Sequence, residues 1–123
     1  PRTRAVLPVH LYGQAADMAA LEAIAARHNL ALVEDCCQAH LATCGQAPVG
    51  TIGVAGAFSF YPTKNLGALG DAGAIVTGDA ALADRLRRLR QGGQASRYHH
   101  VDAGVKVDSH GKDLVEVVRS LRK

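Results

Sequence analysis

The sequence predicts an α/β fold in which short apolar strands alternate with amphipathic helices around a mostly parallel sheet with flanking helices. Three observations carry that expectation. Residues 6–12 and 30–33 are apolar runs of strand length, separated by a pattern of helical period. A strand–helix–strand unit of that length places its two strands parallel, joined by a right-handed crossover. Further strand-like runs at 54–60 and 73–77 lead into a second helical pattern that opens at Asp79.

The elements follow in order. Gly13 ends the first strand, and Asp17 is placed to cap the helix after it by accepting from the unpaired first-turn amides. Met18, Leu21, Ile24, Ala25 and His28 fall on one face of that helix. Asn29 closes it, because asparagine tolerates the left-handed conformation. The second strand runs into the acidic pair Glu34-Asp35, and residues 45–53, rich in glycine, read as loop. The third strand stops at Tyr61-Pro62-Thr63-Lys64-Asn65, since proline cannot continue a central ladder. Gly67, Gly70 and Gly73 mark a turn before the fourth strand. Asp79 caps the second helix, Leu82, Leu86 and Leu89 form its core stripe, and Gly92-Gly93 stops it. Residues 94–107 show no period. From Lys112 onward, Leu114, Val117, Val118 and Leu121 share a helical face, which predicts a C-terminal helix.

Composition bounds the function. A chain of 123 residues has room for one domain with a core, and 48% hydrophobic with 20% charged residues fits a folded piece rather than a disordered tail. No apolar run approaches the roughly 20 residues of a membrane helix, and the first residues lack the apolar stretch of a secretory signal. The absence of an initiator Met leads us to expect a chain that starts inside a longer protein or has been cut. The net charge of +3 gathers at Arg85, Arg87, Arg88 and Arg90. No aromatic residues interleave with them, so a solvated helix face favoured by the helix dipole is expected over nucleic-acid binding. Cys36, Cys37 and Cys44 are an odd, clustered set, which fits a reducing cytoplasm better than secretion. A zinc site with His40 is not expected, because Cys-Cys-x-x-His lacks the usual gap between thiolates.

In parallel α/β sheets ligands collect beyond the carboxyl ends of the strands. Asp35 stands at one such end, and Ser59 and Lys64 at or just past another. Taken singly, Asp35 reads as a helix cap or an ion-pair member before a functional group, and Lys64 as a solvated loop lysine. Thr63-Lys64-Asn65 does not fit a phosphate-binding P-loop.

Read together, three segments say more. They are His10-Leu11-Tyr12-Gly13-Gln14, then Glu34-Asp35-Cys36-Cys37-Gln38-Ala39-His40, then the block from Phe58-Ser59-Phe60-Tyr61-Pro62-Thr63-Lys64-Asn65 through Leu66-Gly67-Ala68-Leu69-Gly70-Asp71-Ala72-Gly73. With Leu86-Arg87-Arg88-Leu89-Arg90 and Tyr98-His99-His100, they closely resemble the sugar aminotransferases of the DegT/DnrJ/EryC1/StrS family, from about Val6 to Gly104.

The resemblance implies part of the large domain of a fold-type I enzyme that uses pyridoxal 5'-phosphate. In that family the lysine matching Lys64 forms the Schiff base with the cofactor aldehyde, and the aspartate matching Asp35 pairs with the pyridine nitrogen. Gln38 matches a residue lying against the ring and its hydroxyl, and Ser59 one that binds the phosphate. Each role suits its residue: a carboxylate keeps the ring nitrogen protonated, and an amine can form an imine and then carry a proton. A lysine, rather than the histidine of dehydratase relatives, implies transamination. The implied partners are an amino-acid donor, glutamate or glutamine, and a keto sugar, usually nucleotide-linked, with a homodimer in the full-length form and no nucleic acid or membrane. His99 and His100 then read as a loop feature near that dimer interface, and Asn65 and Asp71 as turn formers.

The pattern departs after Gly104, where Lys106 stands at the place of an asparagine that in the family reaches the partner's cofactor phosphate. We therefore divide the chain into residues 1–105, a partial cofactor-binding large domain, and 106–123, a divergent, helical C-terminal tail. Relatives in the family are much longer, so the chain is expected to be a truncated piece that is inactive in isolation. A non-catalytic cofactor-binding or dimerising remnant, and a purely structural domain, are the other readings.

Overall fold

A computed structural model describes residues 2–91, 94–96, 99–100 and 114–119. Among these, β1 is Ala5–Val6, α1 Met18–His28, β2 Ala31–Asp35, β3 Thr43–Cys44, β4 Ala47–Pro48, β5 Ala55–Ser59 and β6 Ala72–Thr77. Helix α2 is Ala80–Arg90, followed by β7 Gln94–Ser96, β8 His99–His100 and β9 Leu114–Arg119. The main sheet has the order β1-β2-β5-β6-β9. Its pairs are parallel except β5 with β6, so the expected α/β sheet is mostly parallel.

Both helix boundaries follow from side-chain chemistry. Asp17 Oδ1 accepts from the Ala20 amide at 3.1 Å, and Asn29 ends α1 in the left-handed region at φ 50°. Asp79 Oδ1 accepts from the amides of Ala81 and Leu82 at 2.8 and 3.1 Å. Met18 and Ala25 carry α1 onto Leu32 of β2, and Leu21 is packed against that cluster. Ile24 and His28 of the expected stripe are exposed, because α1 meets the molecule along a narrower band than its pattern suggests. On α2 only Ala83 is fully buried, with Leu82, Leu86 and Leu89 half-buried around it.

Three expectations change. The first strand is short, since Pro8 has no amide to give the ladder. The chain still follows β2 beyond it: Asp35 N–H donates to the Pro8 carbonyl at 2.9 Å and His10 N–H to the Asp35 carbonyl at 3.0 Å. Residues 11–13 then turn through a short 3-10 segment with Tyr12 at φ 55°. The glycine-rich stretch expected to be loop contains β4, which pairs antiparallel with β3. The C-terminal helix is corrected outright, since β9 is a strand that pairs with all of β6 in parallel register. Valine at 115, 117 and 118 favours the extended chain, and the edge of β6 supplies the hydrogen bonds that a short isolated helix lacks. The expectations at Gly92-Gly93, Tyr98 and residues 106–113 fall outside the described residues.

Close backbone packing sets the level of the 50–53 turn. A methyl group at Gly56 would collide with the backbone of Gly50, so β5 and this turn touch main chain to main chain. The turn is also held by Glu34, which is fully buried. Its carboxylate accepts from Gly50 N–H at 2.7 Å, Ile52 N–H at 2.8 Å, Gly53 N–H at 2.7 Å and His10 Nε2–H at 3.0 Å.

Candidate functional site

Strands β2 and β5 lie side by side and parallel, so their carboxyl ends open on one edge of the sheet. Asp35 is the last residue of β2 and Ser59 the last of β5. Along β2 the side chains alternate, which sends Leu32 and Glu34 into the interior and leaves Asp35 half-buried on the other face. Asp35 Oδ1 accepts from the Cys37 amide at 3.0 Å, and the Cys37 thiol is a second hydrogen-bond partner of the same carboxylate.

The segment after Asp35 turns at once, with Ala39 N–H donating to the Cys36 carbonyl at 3.0 Å. This turn presents Gln38, whose Oε1 accepts from the Tyr12 amide at 3.3 Å. Beyond β5 the chain makes a second turn in which Lys64 N–H donates to the Tyr61 carbonyl at 2.8 Å. Gly67 is required in that excursion, since a Cβ there would stand 2.5 Å from the Pro62 carbonyl oxygen. The two turns and the 11–13 segment enclose a cleft of about 460 Å³, lined by Tyr12, Gly13, Gln38, His40, Thr63, Lys64 and Asn65. That size suits a small organic ligand.

The structure thus brings Gln38 and Lys64 into one cleft. Asp35 and Ser59, the last residues of their strands, do not line it, and Ser59 lines a separate cleft of about 240 Å³ with Phe58 and Gly73. Their connection is visible in the neighbours. The Cys37 thiol is pushed up to about 11 by burial and by the hydrogen bond and charge of Asp35, while the Lys64 ammonium pulls it the other way, so both charges reach one sulfur. Ser59 Oγ accepts from the Tyr61 amide at 3.3 Å, which leaves its own hydrogen free to donate. Its carbonyl accepts from His40 Nε2 at 2.9 Å, and His40 is a wall of the cleft. Asn65, expected to be a turn former, is also a lining residue. A second cleft of about 440 Å³ opens at the opposite sheet edge, but Asp79, its one carboxylate, is already committed to capping α2.

Metal binding finds no support in the most crowded donor set among the described residues. Ligand atoms of His10, Glu34 and Cys36 lie within 4.8 Å of one another. However, His10 Nδ1 accepts from the Ala16 amide at 3.1 Å and its Nε2 donates to Glu34. Burial, then the charges of Glu34 and Asp35, push the Cys36 thiol up to about 12. His10 and Glu34 are thus committed to each other and to backbone amides, and Cys36 holds its proton. Residue-by-residue reading of the sequence missed it, although the in-out alternation of β2 placed Glu34 on the inner face. The arginines of α2 lie on a solvated face as expected, with Arg88 paired to Asp84 at 2.7 Å one turn away.

Comparison with known proteins places the site in context. Residues 1–108 match the model of the DegT/DnrJ/EryC1/StrS aminotransferase family. The chain is 56% identical over 104 residues to dTDP-3-amino-3,4,6-trideoxy-alpha-D-glucose transaminase of Streptomyces venezuelae, a match covering 85% of this chain and 27% of that protein. It therefore spans about a quarter of the length of such curated relatives. Among solved structures, S. venezuelae DesV in complex with a ketimine intermediate superposes with a TM-score of 0.75 at 55% identity, over 81% of this chain and 27% of that one. NtdA from Bacillus subtilis, with bound cofactor PMP, superposes with a TM-score of 0.71 at 34% identity, over 82% of this chain and 23% of that one. The fold class is the one those enzymes share.

Proposed function

The chain belongs to the DegT/DnrJ/EryC1/StrS aminotransferase family, and from that premise we propose that it is a piece of a pyridoxal-phosphate-dependent aminotransferase acting on a keto sugar. The amino donor is glutamate or glutamine, and the acceptor sugar is nucleotide-linked, in line with the dTDP-sugar named for the S. venezuelae relative. The observation that carries the reading is Lys64, half-buried in the same cleft as Gln38, beyond the ends of the strands that carry Asp35 and Ser59.

The donor set present fits the cofactor. It offers an amine for the aldehyde, a carboxylate oriented by the Cys37 amide for the ring nitrogen, an amide for the ring hydroxyl and a hydroxyl hydrogen for the phosphate. Lys64 would hold the cofactor covalently, Asp35 the ring nitrogen, Gln38 the ring and its hydroxyl, and Ser59 the phosphate. When bound, the cofactor supplies an electron sink for the substrate carbon that loses its proton. Asp35 keeps that sink strong by holding a proton on the ring nitrogen, and Lys64 moves the substrate proton once its amine is released. The turn behind Asp35 orients the carboxylate through the Cys37 amide, so its direction does not depend on the ligand.

The protein would work as a homodimer in the cytoplasm, where free thiols such as Cys36, Cys37 and Cys44 persist. No described helix is long and apolar enough to cross a membrane. The test is borohydride reduction of the full-length protein with bound cofactor, followed by peptide mass mapping. The pyridoxyl group is expected on Lys64; a label on Lys106 or Lys112 instead would overturn the assignment.

A further inference from the structure

His40 is a wall of the cleft to which the proposed chemistry gives no role, and its contacts fix its tautomer. A carbonyl oxygen can only accept, so the 2.9 Å contact from Nε2 to the Ser59 carbonyl places the ring hydrogen on Nε2. Nδ1 is then a bare lone pair, and it is buried with no hydrogen-bond partner among the described residues. The ring is gripped by Phe58 and Phe60, whose centroids stand 5.9 and 5.6 Å away. Those two phenylalanines flank Ser59 in sequence. One imidazole therefore ties the turn that presents Gln38 to the strand end that presents Ser59.

We propose that His40 is a positioning residue for the phosphate anchor, fixing the end of β5 so that the Ser59 hydroxyl stays aimed at a phosphate monoester. Ser59 Oγ has one weak anchor of its own, the Tyr61 amide at 3.3 Å. The Nε2–H bond to the Ser59 carbonyl supplies the second constraint, on the main chain of the same residue. With Nδ1 unpaired among the described residues, the one polar contact the ring makes is the Nε2–H bond to the Ser59 carbonyl. A phenylalanine would remove the unpaired Nδ1 but leave the Ser59 carbonyl without its donor.

The inference rests on the reading of Lys64 as the cofactor lysine, and the experiment separates the two. In the full-length protein, stripped of cofactor, affinities for pyridoxal phosphate and for pyridoxal are measured by the change in visible absorbance, with borohydride trapping at Lys64 as a check. The wild-type preference for the phosphorylated aldehyde should fall about tenfold in His40→Phe, which keeps the ring contacts and loses the donor. His40→Gln, whose side-chain amide can still donate to the Ser59 carbonyl, should restore most of it. Pyridoxal affinity and the melting temperature of the stripped protein should change little. Equal loss of both ligands, or an unchanged preference in His40→Phe, would overturn the role of His40 while leaving Lys64 in place. If His40→Phe does not fold, His40→Asn, whose amide is too short to reach the Ser59 carbonyl, takes its place with the same expected loss. Failure of either aldehyde to be trapped on Lys64 in the wild type would overturn the cofactor reading itself, and the proposal with it.

Discussion

Asp35 is a half-buried carboxylate held in place by the Cys37 amide at 3.0 Å. Replacing it with asparagine keeps the volume and the Cys37 contact but removes the charge that would hold a proton on the ring nitrogen. In the full-length enzyme Asp35→Asn should lower the rate on the order of 10²-fold or more, about 2.7 kcal/mol of barrier, with little change in melting temperature. Near-normal steady-state turnover would show that Asp35 is not the nitrogen's partner. The neighbouring thiols give a second expectation. Cys36 and Cys37 are raised from 9.0 to about 12 and about 11, so both stay protonated in the native protein at pH 8. Thiolate is the reactive form, and iodoacetamide should therefore label these two far more slowly in the native protein than in urea. Native labelling as fast as unfolded labelling would contradict the burial. A thiol that holds its proton longer when folded contributes its stability fully below pH 9. That contribution is lost as the pH climbs from 9 toward 12.

Among the elements, α2 shows how much a boundary residue contributes. Its apolar stripe is only half-buried, so the helix relies on its N-terminal cap more than a core helix would. Asp79→Ala removes an acceptor shared by two amides and should cost about 1 kcal/mol, read as a lower denaturation midpoint in urea with unchanged slope. No shift in that midpoint would mean that water caps the helix as well as Asp79 does. Both caps and the left-handed Asn29 were legible in the sequence because they depend on neighbours along the chain. The strand at Leu114–Arg119 was not, because a helical spacing of apolar residues and a valine-rich extended run coincide there. Which one forms depends on whether a sheet edge is waiting, and β6 provides it.

For the whole molecule the telling feature is apolar surface beside the cleft. Tyr12 is 88% exposed and Leu41 89%, both with positive φ, and Leu66 and Leu69 stand exposed on the turn after Lys64. Large side chains held outward in strained conformations suggest a surface meant to be covered. The 123-residue chain alone is therefore expected to self-associate, and to form no amino sugar from cofactor, glutamate and a panel of nucleotide keto sugars. Sedimentation as a monomer at micromolar concentration, or steady product formation above a Lys64→Ala control, would contradict this. The reason is dielectric: a site open to water weakens the interaction that Asp35 would contribute.

The sequence by itself determined the α/β class, the two capped helices, the family and the candidates Asp35, Gln38, Ser59 and Lys64, because local spacing and a long contiguous motif carry that information. Only the tertiary structure decided that Gln38 and Lys64 share a cleft that Asp35 and Ser59 do not line, that Glu34 is the buried clamp on the 50–53 turn, and that His40 joins two separate segments. Those facts join residues some 16 to 26 positions apart in the chain, as with Glu34 to Gly50 and Gln38 to Tyr12. Contacts at that separation follow from how β2 pairs in register with β5 on one side and with the chain at Pro8 and His10 on the other, which no single stretch of residues encodes.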